Sequence, residues 1–264
     1  MRRSITTLAA TALAAVAVIV AGQPTTGTTT TAQAADSEQL TLVAEAFTFD
    51  EGDAVTATAT TTAATTACSD TTYALKSWKV ATLNWVYNPA GAPANIASTA
   101  LASITASTDT VAKGANRCGL APITASTYTY GGTTTVAPQV TPQATCTGND
   151  GKSVTGWGTL PAKVLAYTCT YFNSRGVVVS SDTLIANTGY TWFTTLPANC
   201  TGAQYDLQTT LTHERLHTAG LGHVDQTANA TQTMTPASGP CDTTRRLLGA
   251  GDYAGLKTLT TTTN

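Results

Sequence analysis

Charge is scarce in this chain. Of its 264 residues only 11% are Asp, Glu, Lys or Arg, and the formal net charge is −2. That leaves no basic stripe for a nucleic acid and no polybasic patch for an anionic membrane. Glutamate is rarer still: Glu38, Glu45, Glu51 and Glu214 are the whole supply. Histidine stops at His213, His217 and His223, and methionine at Met1 and Met234. No C-x-x-C pair occurs, which removes the support for a structural zinc ribbon or a thioredoxin-like redox site. A Lys- and Glu-poor chain is also badly supplied for long surface helices.

What replaces the missing residues is threonine, roughly a fifth of the chain against a much lower ordinary usage. Threonine suits strands and exposed loops. The N-terminus points to export. Arg2 and Arg3 precede an uncharged apolar stretch from Leu8 to Ala21, which is short for a membrane span and fits the apolar region of a signal peptide. Ala32-Gln33-Ala34 and Val20-Ala21-Gly22 are candidate cleavage sites, and residues 1–34 are assigned to the signal. Six cysteines follow. An even count in an exported chain predicts three disulfides, here assigned in sequence order: Cys68 with Cys118, Cys146 with Cys169, Cys200 with Cys241.

Residues 35–70 are Thr/Ala-rich and read as a spacer or short pro-segment, a first strand being left open. Residues 71–264 form the expected catalytic domain. Lys79 to Tyr87 alternates as a strand does. Asn95 to Ala112 carries Ile96, Leu101, Ile104 and Val111 at roughly helical spacing. Gly131-Gly132 and Asn149-Asp150-Gly151 are turn signals between short strands. Lys163–Phe172 and Gly176–Ile185 read as strands joined at Asn173-Ser174-Arg175. Asp206 is an N-cap for a helix from Leu207 to Ala219 that Gly220 ends, and a last helix is expected over Asp252–Leu259. The class is α+β.

Residues 213 to 223 read H-E-R-L-H-T-A-G-L-G-H. On a helix His213 and His217 are one turn apart and share a face. Glu214 sits beside the first of them, able to reach a metal-bound water without being a ligand. Gly220 can take the positive φ that ends the helix and turns the chain back, so that His223 completes a three-histidine set. Three protein ligands with one open position describe a catalytic zinc site, and zinc brings the pKa of bound water from 15.7 toward about 7. A random match to the extended pattern is on the order of one in a million for so little His and Glu.

The motif resembles that of the metzincin zinc peptidases, whose next hallmark is a methionine turn beneath the metal. Met234 lies in Thr233-Met234-Thr235-Pro236, eleven residues beyond His223. Astacins and serralysins carry a tyrosine two residues after that methionine; Pro236 stands there, as in matrixins. Lys163-Val164-Leu165-Ala166-Tyr167-Thr168 is similar to the matrixin edge strand above the cleft, and Gly251–Leu259 to the matrixin C-terminal helix. The resemblance implies a zincin fold: a twisted mixed sheet, an active-site helix and a small C-terminal subdomain. It implies one catalytic zinc held by His213, His217 and His223, with Glu214 as general base. Leu165 and Ala166 would bind an extended substrate by backbone pairing, and Pro236 would wall the pocket for the side chain after the cut.

The departures matter. Tyr167 and Leu184 occupy positions where matrixins place histidines for a second, structural zinc, so that site is not expected. Calcium has only weak support, from Asp182 among Ser and Thr, where a turn or cap is the commoner role. Cys118 follows the first strand and helix, which speaks against a cysteine switch. No glutamate follows Glu214 to serve as third ligand, which excludes the gluzincin arrangement. The expected function is a secreted, monomeric zinc endopeptidase acting on protein or peptide substrates, with no nucleic-acid partner and no membrane attachment after signal cleavage. The alternative is a non-catalytic exported Thr-rich surface or adhesion module with a vestigial metal site.

Overall fold

The computed structural model describes residues 39–49 and 66–261. The signal segment expected at 1–34 lies outside them, as does the stretch from Asp50 to Thr65. Eleven strands occur among the described residues: β1 (Thr41–Phe49), β2 (Ala74–Leu75), β3 (Thr82–Asn88), β4 (Thr127–Thr133), β5 (Val154–Gly158), β6 (Val164–Phe172), β7 (Val178–Ala186), β8 (Thr191–Phe193), β9 (Gln204–Asp206), β10 (Leu221–Gly222) and β11 (Ala237–Ser238). The longer helices are α1 (Ala100–Lys113), α2 (Leu207–Ala219) and α3 (Ala250–Thr261), beside a helical turn at 66–69 and a 3-10 turn at Thr244–Arg246. The class is α+β, as the sequence predicts.

The main sheet runs β11-β1-β6-β7-β5-β3-β4. Strands β7, β5, β3 and β4 are parallel neighbours, while β6 is antiparallel to both β7 and β1. Strands β6 and β7 form a hairpin whose turn is held by Asn173: its Oδ1 accepts the backbone N–H groups of Arg175 (3.1 Å) and Val177 (2.9 Å). Both strands are buried on nearly every residue, so alternation of apolar and polar positions is lost, as it is in any doubly covered strand. Threonine and serine fill many of these buried places. Their hydroxyls pair across the hairpin, Thr168 with Thr183 at 3.0 Å and Thr170 with Ser181 at 3.1 Å.

Two expectations need correction. Gly131-Gly132 does not turn the chain: both glycines lie within β4, beside a register shift in β3 between Trp85 and Tyr87. Glycine inside an edge strand marks such an irregularity as readily as a turn. The helix read from Asn95 begins at Ala100, after a turn stabilised by Ile96 N–H on the Pro93 carbonyl (3.0 Å). The stretch left open between spacer and strand supplies β1, which pairs with β6 along Thr41–Thr48.

The main core gathers Phe47, Trp85, Tyr87, Ile104, Leu165, Trp192 and Leu211 between the sheet and helices α1 and α2. A second cluster, with Leu216, Leu221, Met234, Leu248 and Leu256, lies between α2 and α3. Cysteines pair in sequence order: Cys68–Cys118, Cys146–Cys169 and Cys200–Cys241, with Cα separations of 5.3, 5.9 and 5.8 Å. Cys118 is thereby committed to Cys68. Three disulfides fit an oxidising, extracellular compartment. No helix among the described residues is long and apolar enough to cross a membrane.

Candidate metal centre

Helix α2 is the scaffold, and its ends are built as its sequence suggests. Asp206 caps it: the carboxylate accepts the backbone N–H of Thr209 at 2.8 Å and the Thr209 hydroxyl at 2.8 Å. The same carboxylate takes a two-pronged contact from Arg246, at 2.6 and 2.8 Å, which ties the helix start to the C-terminal part of the chain. Gly220 ends the helix at φ +115°, and a Cβ there would lie 2.1 Å from the Trp78 carbonyl oxygen. Only glycine fits both the conformation and the space. Every residue of α2 but Gln208 is buried, so the helix shows no polar face and little amphipathic signal.

The turn at Gly220 brings the three histidines together. Nε2 of His213 lies 2.9 Å from that of His217 and 3.1 Å from that of His223, and the last pair is 3.0 Å apart. Nδ1 of His213 donates to the Thr233 carbonyl (2.7 Å) and Nδ1 of His217 to the Leu221 carbonyl (3.0 Å). With those protons placed on Nδ1, both Nε2 atoms present lone pairs to one another. Burial and the neighbouring imidazoles hold His213 and His217 well below the ordinary imidazole pKa, and burial lowers His223. Three neutral imidazoles with converging lone pairs repel unless a cation sits among them. The triangle suits an ion that takes nitrogen at about 2.0–2.1 Å. Hydrogen bonds from the far ring nitrogen to backbone carbonyls are how metal-binding histidines are oriented. The three-histidine group can bind a metal ion; among the described residues it is the one set of three or more His, Cys, Asp or Glu whose donor atoms converge.

Glu214 is fully buried one position along the helix. Its Oε2 accepts a hydrogen bond from the Thr168 hydroxyl, while Oε1 is buried with no partner. Burial raises its pKa to about 8. Behind it the hydroxyls continue: Ser181 meets Thr218 at 2.8 Å, and Thr218 donates to the Glu214 carbonyl at 3.2 Å. The carboxylate itself is held from the sheet side by Thr168, whose hydroxyl in turn meets that of Thr183 at 3.0 Å, while Thr218 braces only the Glu214 backbone. Nothing in the sequence pattern announced it, because the partners lie 46 residues apart.

Met234 is buried below the site, in the second apolar cluster. Its carbonyl accepts Val224 N–H at 3.0 Å, so the turn that orients His213 through Thr233 also holds the residue after His223. Asp252, at the start of α3, fastens that turn. Its carboxylate accepts the N–H groups of Thr233 (2.7 Å), Met234 (3.1 Å) and Gly249 (2.9 Å). Sequence reasoning missed Asp252, and its place in the first turn of the expected helix was the available signal. Arg215, also missed, is fully buried between His213 and His217 in sequence. It stacks over Trp85 at 5.0 Å and donates to Thr155 at 2.8 Å.

Leu165 and Ala166 are both fully buried on β6. A free edge was expected there, but β1 covers it, with Ala166 opposite Phe47. The residues that could add such a strand preceded the anticipated domain, which is why the pairing was not foreseen. Pro236 leads into β11, and its carbonyl accepts both the N–H and the hydroxyl of Thr48 (3.1 and 3.0 Å). Tyr167 and Leu184 face each other across β6 and β7 and pack in an apolar cluster with Leu160. Asp182 lies outside the histidine group; its two oxygens accept backbone N–H from Val154 (2.8 Å) and Gln139 (3.3 Å). It staples a loop to the sheet. No protein-family model matches the chain, and no curated protein matches it.

Proposed function

We propose that the protein is a secreted zinc endopeptidase of the metzincin type, on the matrixin side of that group, with His213, His217 and His223 as ligands. The observation that carries this is the pairing of three convergent Nε2 atoms with a buried carboxylate that keeps one oxygen unpartnered. A purely structural metal site has no use for Glu214 Oε1. Burying a carboxylate oxygen without a partner costs roughly 1–3 kcal/mol or more. Such a cost persists where the atom has a task.

Zinc in a three-histidine site supplies Lewis acidity, which acidifies water and polarises a carbonyl. The chain's own groups do the rest. Glu214 Oε1 accepts the proton of the attacking water and passes it to the departing amine. Thr168 holds the other oxygen, so the carboxylate cannot rotate away from this duty. The Thr233 and Leu221 carbonyls keep His213 and His217 in the tautomer that offers Nε2 to the metal. Met234 floors the site and Pro236 walls the pocket for the side chain following the cut. An extended peptide lies along Leu165–Ala166 in the place that β1 takes in the structure. One zinc ion serves the reaction.

The test compares casein hydrolysis by the purified, zinc-loaded chain with and without a chelator, beside Glu214→Gln. Activity should vanish on chelation, return with zinc, and fall at least a thousandfold in Glu214→Gln while that variant still binds one zinc. A zinc-loaded wild type inert toward every peptide pool refutes the peptidase and favours the alternative, an exported surface module with a vestigial site.

A further inference from the structure

We propose that β1 is an intramolecular occupant of the peptide cleft, seated on the metal centre by Phe47, and that it blocks the cleft until it is displaced. This rests on the peptidase reading above. Four observations support it. First, β1 fills the space between the two walls assigned to substrate: antiparallel to β6 on one side, parallel to β11, just after Pro236, on the other. Second, the register places Glu45 opposite Thr168 and Phe47 opposite Ala166. Directly opposed residues share a face, and Thr168 is on the face that holds Glu214. Glu45 and Phe47 therefore face the site and straddle Ala46. The Phe47 ring stacks on His213 with centroids 3.9 Å apart and planes 21° from parallel, and Glu45 pairs with Lys76.

Third, the burial of β1 is that of a docked peptide. Phe47 alone among its nine residues is fully buried, whereas β6 and β7 are buried along almost their whole length. One deep anchor amid half-exposed neighbours is how extended peptides are held by strand addition. Fourth, no disulfide retains it. All six cysteines lie from Cys68 onward, so β1 is joined to the rest only through the sixteen residues from Asp50 to Thr65. A peptide taking the place of β1 would present an aromatic side chain to His213, a small residue before it, and an acid toward Lys76.

The full chain carrying a site-specific protease sequence between Thr61 and Thr62 tests this with every described residue unchanged. The probe is a fluorescein-labelled peptide of residues 39–49, read by anisotropy on zinc-loaded protein before and after the cut. The cut protein, diluted and washed, should bind the peptide at least a hundredfold more tightly than the uncut protein. The same peptide with Phe47→Asp should not bind. The wash should also raise hydrolysis of a fluorogenic peptide at least tenfold, with an unchanged circular dichroism spectrum. A cut protein that keeps its own strand and refuses the probe makes β1 a permanent part of the sheet and overturns the proposal. Equal hydrolysis before and after loss of the strand overturns the blocking role. Probe exchange in a protein that hydrolyses nothing upholds β1 as occupant and removes the peptidase reading instead.

Discussion

Asp252 is the residue whose loss should separate fold from metal. It touches no histidine, yet its carboxylate gathers the N–H groups of Thr233, Met234 and Gly249, and the Thr233 carbonyl in turn orients His213. Asp252→Ala leaves three buried donors unpaired. Hydrogen bonds to a charged group contribute roughly 1.5–3 kcal/mol each, and they are not additive when shared by one carboxylate. A loss of about 4 kcal/mol in metal-free stability is expected, near the 3–5 kcal/mol typical of breaking a buried charged network. A second loss should appear in metal affinity, because the hydrogen-bond partner of His213 is no longer held: about 10–100-fold, the usual effect of disturbing residues behind a metal ligand. Urea unfolding of the metal-free protein measures the first, and competition against a chromophoric zinc chelator measures the second. Asp252→Asn, which keeps one acceptor oxygen, should fall between. A variant that loses the stability but binds zinc as wild type does would refute the claim that Asp252 positions His213 through the turn.

Removing the metal with a chelator should lower the melting temperature by about 10 °C at a free-zinc level a thousandfold above Kd, since that excess contributes about 4 kcal/mol and each kcal/mol shifts a domain of this size by about 2–4 °C. No change would mean the ion does not engage the folded state. Gly220→Ala forces a Cβ at φ +115° to within 2.1 Å of the Trp78 oxygen, so a destabilisation well beyond the ordinary ~1 kcal/mol is expected together with weaker zinc binding; calorimetry of the variant decides it. Asp182 gives a pH signature. Burial lifts its pKa to about 6, against backbone N–H bonds that lower it and with Asp150 adding to the rise. Because the folded value lies above the unfolded one of ~3.9, ionisation of Asp182 opposes folding above pH 6, and the penalty fades as pH falls from 6 toward 4. The stability difference between Asp182→Asn and wild type should therefore move by about 2 kcal/mol in favour of wild type between pH 7 and pH 4.5. A difference independent of pH would contradict the shift.

The chain by itself determined whatever depends on near neighbours. Asp206 can be recognised as a cap because its carboxylate reaches only three residues ahead, and Gly220 as a stop because a positive φ is a property of one residue. The spacing of His213, His217 and His223 follows from one helical turn and one reversal. Neighbouring cysteines found each other, since the strands and loops between them return the chain to its starting side. The hairpin of β6 and β7 was legible from two β-rich runs and an Asn-led turn. Tertiary structure decided what joins distant segments. Thr168 gave no sign that it holds Glu214, because a threonine in a Thr-rich strand looks alike whether it faces water or a carboxylate. Arg215 reads as a surface residue until α2 is seen to be covered on all sides. Above all, residues 41–49 were ambiguous in isolation. A short alternating strand states that it pairs, but not with what; only the edge of β6 that β7 leaves to it and the ring of His213 supply the answer.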